Sequence, residues 1–202
     1  MAGILVVCMA NVCRSPLAEI ALLRGFDGVE GFEGLRVTSA GVGARESRGI
    51  CRAVAQRVAG TAWEAHADQH RARALEPSAV READLVLTAS REVRAAVVAA
   101  VPERRRRIVT LREAVWLGTG FARAPGLRGS AAVEAFQQHI DGLRGMRAAP
   151  TAQRSRWFST PDDPLDIVDG HTMGRRAHAA TLQATEQAAA SIAALVVGAA
   201  GD

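Results

Sequence analysis

The residues with the clearest capacity for chemistry lie near the start of the chain, where Cys8 is followed by Arg14 and Ser15. A thiolate is a strong nucleophile, and an arginine fork can bind two oxygens of a phosphoryl group. Loop amides at the beginning of a helix add positive charge, which stabilises a thiolate and attracts an anion. The spacing therefore indicates a nucleophile and an anion clamp that act on the same phosphoryl group.

The Cys-x5-Arg spacing alone is a weak signal, because it occurs a second time at Cys51 and Arg57. Cys51 follows no strand-like run, its arginine is followed by Val58 rather than by Ser or Thr, and the surrounding sequence is helix-like. We therefore interpret Cys51 as a structural residue. The context of Cys8 is different, since a strand, a loop, Arg-Ser-Pro and a helix follow one another there.

The elements that must position Cys8 can be predicted from local patterns. Residues 3–8 form a short apolar run rich in branched side chains, which is typical of a strand buried on both faces. After a polar stretch, Pro16 is suited to a first helical turn, and Leu17, Ile20 and Leu23 recur at helical spacing. The sequence thus predicts a strand, a tight phosphate-binding loop and a helix.

The rest of the chain alternates the same two kinds of pattern, which predicts an α/β fold. Further strands are expected at residues 35–40, 84–88 and 107–111. Further helices are expected at residues 47–59, 76–83, 92–100, 130–146 and 174–197. The predicted architecture is a three-layer sandwich, a central four-stranded parallel sheet with helices on both faces, within a single domain that covers residues 1–202.

Composition and charge limit the partners and the compartment. The net charge is +4, and all 25 basic residues are arginine, interspersed with acidic residues. Because a nucleic-acid binder concentrates its positive charge on one face, we expect no nucleic-acid partner. The apolar runs at residues 4–8 and 192–200 are too short for a signal-peptide core or a membrane span, so we expect no membrane association and a cytoplasmic location. The three cysteines are then expected to be reduced thiols.

The first loop and its flanks, VCMANVCRSPLAE, resemble the phosphate-binding loop of the low-molecular-weight protein tyrosine phosphatases, whose pattern is V-C-x-G-N-x-C-R-S-P-x-A-E. Shorter matches follow in the family's order, at Ser39-Ala40-Gly41 and at residues 70–73, which read HRAR. The first motif is highly specific, and the later ones are individually weak. The resemblance implies a divergent bacterial-type member of this family.

The resemblance implies a role for most residues of the loop. Cys8 is the nucleophile that forms a phosphocysteine intermediate, and Arg14 binds the phosphoryl oxygens and stabilises the transition state, with no cofactor and no metal. The other phosphate-binding residues are Met9, Ala10, Asn11, Val12, Cys13 and Ser15. The supporting residues behind the loop are Glu19, Ser39 and His70.

Cys13 has two possible roles, which the sequence leaves open. It could be a core thiol. By the resemblance, it could instead form a reversible disulfide with Cys8, which would protect the nucleophile from irreversible oxidation.

Protonation of the leaving group requires a carboxylic acid, which the family supplies from an Asp-Pro loop before its last helix. Asp163 carries the literal dipeptide with Pro164. Asp169 is followed by Gly170, but the surrounding LDIVDGH matches the family's L-D-[IV]-x-D-P-[YF] better. We therefore predict Asp169 as the general acid and keep Asp163 as the alternative acid.

Several positions depart from the family pattern. Ala10 replaces a glycine, at a cost of about 1 kcal/mol if the position needs a positive φ. Gly170 replaces proline and is expected to make the acid loop more flexible. His171 replaces an aromatic residue, and no aromatic residue follows Gly41, so a preference for phosphotyrosine does not follow from the sequence. Val12 stands where phosphoarginine-specific relatives carry Thr, which argues against that substrate.

Residues 118–161 are an insertion relative to the family. Trp116, Trp157 or Phe158 could replace the missing wall of the substrate slot, and ordinary packing is the alternative role for these residues.

The function predicted by these residues is hydrolysis of a phosphomonoester, carried by a phosphorylated protein or a small molecule. One alternative is a catalytically impaired module that binds phosphate or phosphoprotein, motivated by Ala10 and Gly170. Another is a thioredoxin-coupled arsenate reductase, which needs a downstream cysteine pair, whereas Cys51 is the one cysteine after Cys13. The oligomeric state does not follow from the sequence.

Overall fold

The computed structural model describes residues 3–148, 150–151 and 163–198. Its four strands are β1 (Gly3–Cys8), β2 (Arg36–Gly41), β3 (Leu85–Thr88) and β4 (Ile108–Thr110). They form one sheet in the order β2-β1-β3-β4, and every neighbouring pair is parallel. The predicted four-stranded parallel sheet is confirmed.

The central strand β1 is buried along its whole length, as its apolar run predicts. Its side chains alternate between two separate hydrophobic clusters, because successive residues of a strand point to opposite faces. Ile4 and Val6 belong to the larger cluster, and Leu5 and Val7 belong to the smaller one. The sheet therefore has a hydrophobic core on each face, as in the predicted sandwich.

Helices supply the other side of both cores. The helices are α1 (Arg14–Phe26), α2 (Arg52–Val58), α3 (Glu64–Gln69), α4 (Pro77–Glu82), α5 (Arg91–Ala100), α6 (Leu111–Gly118), α7 (Gly129–Leu143) and α8 (Arg175–Val197). A short 3-10 helix, Pro102–Arg107, precedes β4. Helices α1, α6, α7 and α8 contribute to the larger core, and α4 and α5 contribute to the smaller one.

Helices α6 and α3 were not predicted from the sequence. The expected fourth strand at residues 107–111 ends earlier, at Thr110, because Thr110 and Glu113 form a capping box that begins α6. Helix α3 lies in a polar stretch that carries little apolar periodicity. The helix expected at residues 47–59 is also shorter, since α2 begins after Cys51.

The C-terminal helix agrees closely with its prediction. Helix α8 ends before Gly198, whose φ of 67° is the left-handed conformation that glycine adopts readily after a helix. Among the described residues, no helix combines the length and the apolarity needed to cross a membrane.

Helix α7 lies within the predicted insertion at residues 118–161. Its buried side chains, among them Phe136 and Ile140, belong to the larger core. Gly118 contacts Phe136 so closely that a Cβ there would lie 2.6 Å from the ring. This part of the predicted insertion thus packs in the same core as α1, α6 and α8.

Candidate active site

The phosphate loop (residues 8–15) connects the carboxyl end of β1 to the first turn of α1. Cys8 is only 2% exposed, and its Sγ atom accepts a hydrogen bond from the Asn11 N–H at 3.2 Å. The Ser15 hydroxyl lies 3.0 Å from the same sulfur. These two contacts fix the position of the sulfur, so the loop is arranged to present a nucleophile.

Asn11 holds the loop in shape through its side chain. Its Nδ2 atom donates to Ser15 Oγ at 2.9 Å and to Ser39 Oγ at 2.8 Å, while its Oδ1 atom accepts from the Arg73 N–H at 2.9 Å. Its carbonyl oxygen accepts a hydrogen bond from His70 Nε2 at 2.9 Å. Both polar groups of this buried side chain are therefore paired, as burial requires.

The strained backbone position of the loop is Asn11 rather than Ala10. Among the described residues, Asn11 (φ 52°) and Ser47 are the non-glycine residues with positive φ. Asparagine tolerates the left-handed region better than most residues. The expected strain at Ala10 is thus not found, because Ala10 does not adopt the conformation that would cause it.

Gly41 allows the loop to approach the end of β2. A Cβ atom there would lie 2.7 Å from the Met9 carbonyl oxygen and 2.8 Å from the Asn11 nitrogen. Since both neighbours are backbone atoms, they cannot rotate away. This close approach explains why glycine follows Ser39 and Ala40 at this position.

The supporting network has two histidines with opposite electrostatic environments. His70 contacts Asn11 directly, and burial lowers the pKa of its imidazole. His66 lies 3.0 Å from the Glu19 carboxylate, and this hydrogen bond raises the pKa of His66. Ser39 and His70 thus contact Asn11 directly. Glu19 contacts His66 instead, a histidine that the sequence did not single out.

Arg14 extends from α1 toward the acid loop (residues 165–171). Its side chain is 6% exposed, with Nη1 donating to the Ile167 carbonyl oxygen at 3.0 Å and Nη2 donating to Asp169 Oδ2 at 2.5 Å. The Asp169 side chain is 51% exposed and also accepts from the His171 N–H. The carboxylate therefore lies between the arginine and solvent.

The two candidate acids occupy different places. Asp169 lines a small pocket together with Cys8 and Arg14. Asp163 instead forms an ion pair with Arg91 at 2.7 Å and accepts from the Leu165 N–H at 2.9 Å. Asp163 is not among the residues that line the pocket.

Gly170 packs directly against α8. Its N–H donates to Thr181 Oγ1 at 3.1 Å, and a Cβ would lie 2.5 Å from the Ala177 carbonyl carbon and oxygen. Proline has no N–H to donate and would place extra atoms at this contact. The expected flexibility at Gly170 is therefore opposed by a hydrogen bond and a close contact that depend on glycine.

The described walls of the pocket include no tryptophan or phenylalanine, and Trp116 has the alternative role of ordinary packing. Besides Cys8, Arg14 and Asp169, the pocket is lined by Ala10, Val12, Cys13, Arg48 and His171. Trp116 packs against the larger core and does not line the pocket, while Trp157 and Phe158 lie outside the described residues. Arg48 adds a second guanidinium group at the pocket, and no motif in the sequence pointed to it.

One further cluster borders the pocket, formed by Cys13, Cys51, His171 and His178. Their donor atoms all lie within 4.8 Å of one another. Hydrogen bonding with Cys13 lowers the pKa of Cys51 to about 6, whereas the same contact and burial raise the pKa of Cys13. Sequence reasoning missed this cluster, because its members are far apart in the chain and Cys51 had been interpreted as structural.

Comparison with known proteins gives a match to one family. Residues 3–119 match the model described as "Low molecular weight phosphotyrosine protein phosphatase". The chain is 39% identical over 106 residues to the low molecular weight protein-tyrosine-phosphatase Wzb of Salmonella typhi, and 39% identical over 84 residues to the probable low molecular weight protein-tyrosine-phosphatase EpsP of Ralstonia solanacearum.

These matches cover parts of the proteins. The Wzb match covers 52% of this chain and 66% of the relative, and the EpsP match covers 42% and 52%. Among solved structures, the low molecular weight protein tyrosine phosphatase of T. tengcongensis is 26% identical with a TM-score of 0.49, covering 71% of this chain and 95% of that chain.

Proposed function

The chain belongs to the low molecular weight phosphotyrosine protein phosphatase family, and we propose that it hydrolyses phosphomonoesters through a phosphocysteine intermediate. The observation that carries this proposal is that Cys8, Arg14 and Asp169 line one pocket. A nucleophile, a cationic clamp and a carboxyl group are the three groups that this chemistry requires.

In the first proposed step, Cys8 Sγ attacks phosphorus, so that an S–P bond forms while the P–O bond to the leaving group breaks. Two hydrogen bonds support the sulfur, from the Asn11 N–H and with the Ser15 hydroxyl. Arg14 binds the phosphoryl oxygens and stabilises the charge that they carry in the transition state.

We assign the general acid to Asp169, which donates a proton to the leaving oxygen. Its Oδ2 atom accepts a hydrogen bond from the Arg14 guanidinium, which also binds the phosphoryl oxygens. The entering phosphoryl group therefore competes with the carboxylate for the same donor. In the second step, Asp169 accepts a proton from water as that water attacks phosphorus. The S–P bond breaks as the new P–O bond forms, so inorganic phosphate leaves and the Cys8 thiolate is regenerated.

The proposed substrate class is an aryl phosphomonoester, free or on a protein. The curated relatives are named protein-tyrosine-phosphatases, and the pocket lining offers the His171 imidazole as a contact for an aromatic ring. We further propose a single phosphatase-like domain in which residues 118–161 are an insertion, supported by the packing of α7 in the larger core. A cytoplasmic location agrees with three free cysteines.

The test is turnover of p-nitrophenyl phosphate by the full chain and by Cys8→Ser. We expect wild-type turnover that vanadate inhibits, loss of turnover in the variant, and retained binding of inorganic phosphate that shows the loop is intact. Rapid denaturation of the wild-type reaction at alkaline pH should trap phosphate on Cys8. Turnover that survives Cys8→Ser would overturn the mechanism, and tight phosphate binding without wild-type turnover would favour the binding module. Vanadate-insensitive reduction of arsenate would favour the reductase.

A further inference from the structure

Four side chains that are potential metal ligands converge beside the phosphate loop. Cys13 Sγ lies 3.4 Å from His171 Nδ1, and Cys51 Sγ lies 3.7 Å from His178 Nε2. The two imidazole rings are nearly perpendicular, with centroids 4.9 Å apart. All four donor atoms lie within 4.8 Å of one another.

These separations fit a tetrahedral zinc site. With Zn–S bonds near 2.3 Å and Zn–N bonds near 2.0–2.1 Å, neighbouring ligand atoms of a tetrahedron are about 3.3–3.8 Å apart. The two sulfur–nitrogen contacts already fall in this range. The remaining pairs need to approach by at most about 1.0–1.5 Å, given the limit of 4.8 Å.

We propose that Cys13, Cys51, His171 and His178 bind a Zn²⁺ ion. Two thiolates and two imidazoles form a closed four-ligand set of the structural zinc type, whereas Mg²⁺ and Ca²⁺ require oxygen ligands. Binding Zn²⁺ releases the protons of the two thiols, and two Zn–S bonds form in their place, with no change in oxidation state. The exposed His171 side chain gives the ion a path from solvent.

The ligands come from four separate segments of the chain. Cys13 precedes α1, Cys51 precedes α2, His171 ends the acid loop, and His178 lies in the first turn of α8. An ion held by all four cross-links the phosphate loop to the acid loop. Since the His171 N–H donates to Asp169 Oδ1, the ion also fixes the segment that carries the proposed acid.

The proposed site gives new roles to three residues. Cys51 becomes a ligand rather than a structural thiol, and His171 becomes a ligand where the family carries an aromatic wall. Cys13, once bound, is not available for a disulfide with Cys8. Zinc binding replaces the expectation of a metal-free chain, but it does not depend on the proposed hydrolysis, because Cys8 is not a ligand.

The direct test uses the untagged full chain, stripped of metal under reducing conditions and titrated with Co²⁺. We expect about one Co²⁺ per chain, with thiolate charge-transfer and tetrahedral d–d absorption that Zn²⁺ then removes. His178→Gln should weaken zinc binding at least about tenfold, the effect seen even for disturbed outer-shell partners. His139→Gln, on the distant helix α7, is the matched histidine control, and Cys8→Ser should retain the full stoichiometry.

Two outcomes would overturn the proposal. One is the absence of thiolate–cobalt absorption in a chain whose circular dichroism shows it to be folded. The other is equal zinc affinity in wild type and in His178→Gln.

Alkylation supplies a measurement that needs no variant. Zinc should protect Cys13 and Cys51 from iodoacetamide and leave Cys8 reactive, as read by mass spectrometry of the peptides. Unchanged labelling of Cys13 and Cys51 on adding zinc would contradict the site, and protection of Cys8 alone would place the ion at the nucleophile instead.

Discussion

The phosphate loop and the acid loop are built in different ways. In the phosphate loop, Cys8 and Asn11 are buried, and their polar atoms are paired with Ser15, Ser39 and neighbouring backbone groups. In the acid loop, half of the Asp169 side chain is exposed, and its partners are Arg14 and the His171 N–H. The phosphate loop is therefore a closed hydrogen-bond network, whereas the Asp169 carboxylate of the acid loop has room to change partners.

This difference follows the tasks proposed for the two regions. A nucleophile and its anion clamp act best when their donors are already oriented before the substrate binds. A general acid must contact the leaving group and then water, so partial exposure suits it. The departures from the family pattern at Gly170 and His171 also lie in the acid loop, where Gly170 packs against α8 and donates its N–H to Thr181.

The largest expected effect separates the two candidate acids. Asp169→Asn should lower kcat by about 10²–10⁴-fold, since it removes the proton donor. The loss should be greater for alkyl phosphates than for p-nitrophenyl phosphate, because a poor leaving group depends more on protonation. Steady-state kinetics with both substrates measure this.

Asp163→Asn is the matched control, because it removes a carboxylate that pairs with Arg91 away from the pocket. We expect its kcat to stay close to that of wild type. Equal losses in the two variants, or a larger loss in Asp163→Asn, would refute the assignment of the acid.

The next effect tests the rigidity of the phosphate loop. Gly41→Ala should destabilise the fold by about 1–3 kcal/mol, as overpacking does, and weaken phosphate binding, because the new methyl group meets the backbone of Met9 and Asn11. Denaturant unfolding and phosphate titration measure the two effects. Gly49→Ala is the control, since a Cβ there meets nothing within 4 Å. If both variants behave alike, the close approach of Gly41 to the loop is unimportant.

The corresponding change in the acid loop is Gly170→Pro, which restores the family's residue. We expect a lower kcat with nearly unchanged phosphate affinity, because the variant displaces the acid loop from α8 and leaves the phosphate loop intact. The lost hydrogen bond to Thr181 costs about 1 kcal/mol, and the steric contact with Ala177 adds to it. Gly170→Ala keeps the N–H and so separates the two causes. A higher kcat in Gly170→Pro would show that flexibility, rather than packing, limits this loop.

The smallest effect concerns the two histidines behind the phosphate loop. The hydrogen bond with Glu19 raises the pKa of His66 above its ordinary 6.5. The contact of protonated His66 with Glu19 therefore contributes fully to the stability of the fold below pH 6.5, and this contribution is lost as pH rises through the raised pKa. Burial lowers the pKa of His70, so its contribution is full above 6.5 and is lost as pH falls. His66→Gln should therefore cost more stability near pH 5.5 than near pH 8.5.

Denaturant unfolding at the two pH values measures this difference, with wild type compared at each pH. The partly exposed His66 makes the effect modest, because solvent screens its interaction with Glu19. A greater loss near pH 8.5 would contradict the proposed ionic contribution of the Glu19 contact.

Local patterns were sufficient for much of the fold and for half of the candidate site. The apolar run of β1, the loop and the start of α1 lie within a few residues of one another, so their order specifies their geometry. Two helix ends are also set by local residues: the Ser90 hydroxyl accepts from the Val93 N–H at the start of α5, and α8 ends at Gly198. Helix α6 was also encoded locally, by the capping box at Thr110, although apolar periodicity did not reveal it.

The rest was decided by contacts between distant segments. The sequence offers two carboxylates six positions apart and favours Asp169 by its match to the family pattern, but the contacts of the acid loop with Arg14 and α8 are visible only in the structure. Likewise, Cys13, Cys51, His171 and His178 carry no shared motif, because their spacing reflects where α1, α2 and α8 meet rather than any local repeat. The sequence by itself predicted the proposed nucleophile, its proposed clamp and the sheet behind them, since those depend on neighbours along the chain. The place of Asp169 beside Arg14 and the proposed metal ligands depend on neighbours in space, so only the tertiary structure decided them.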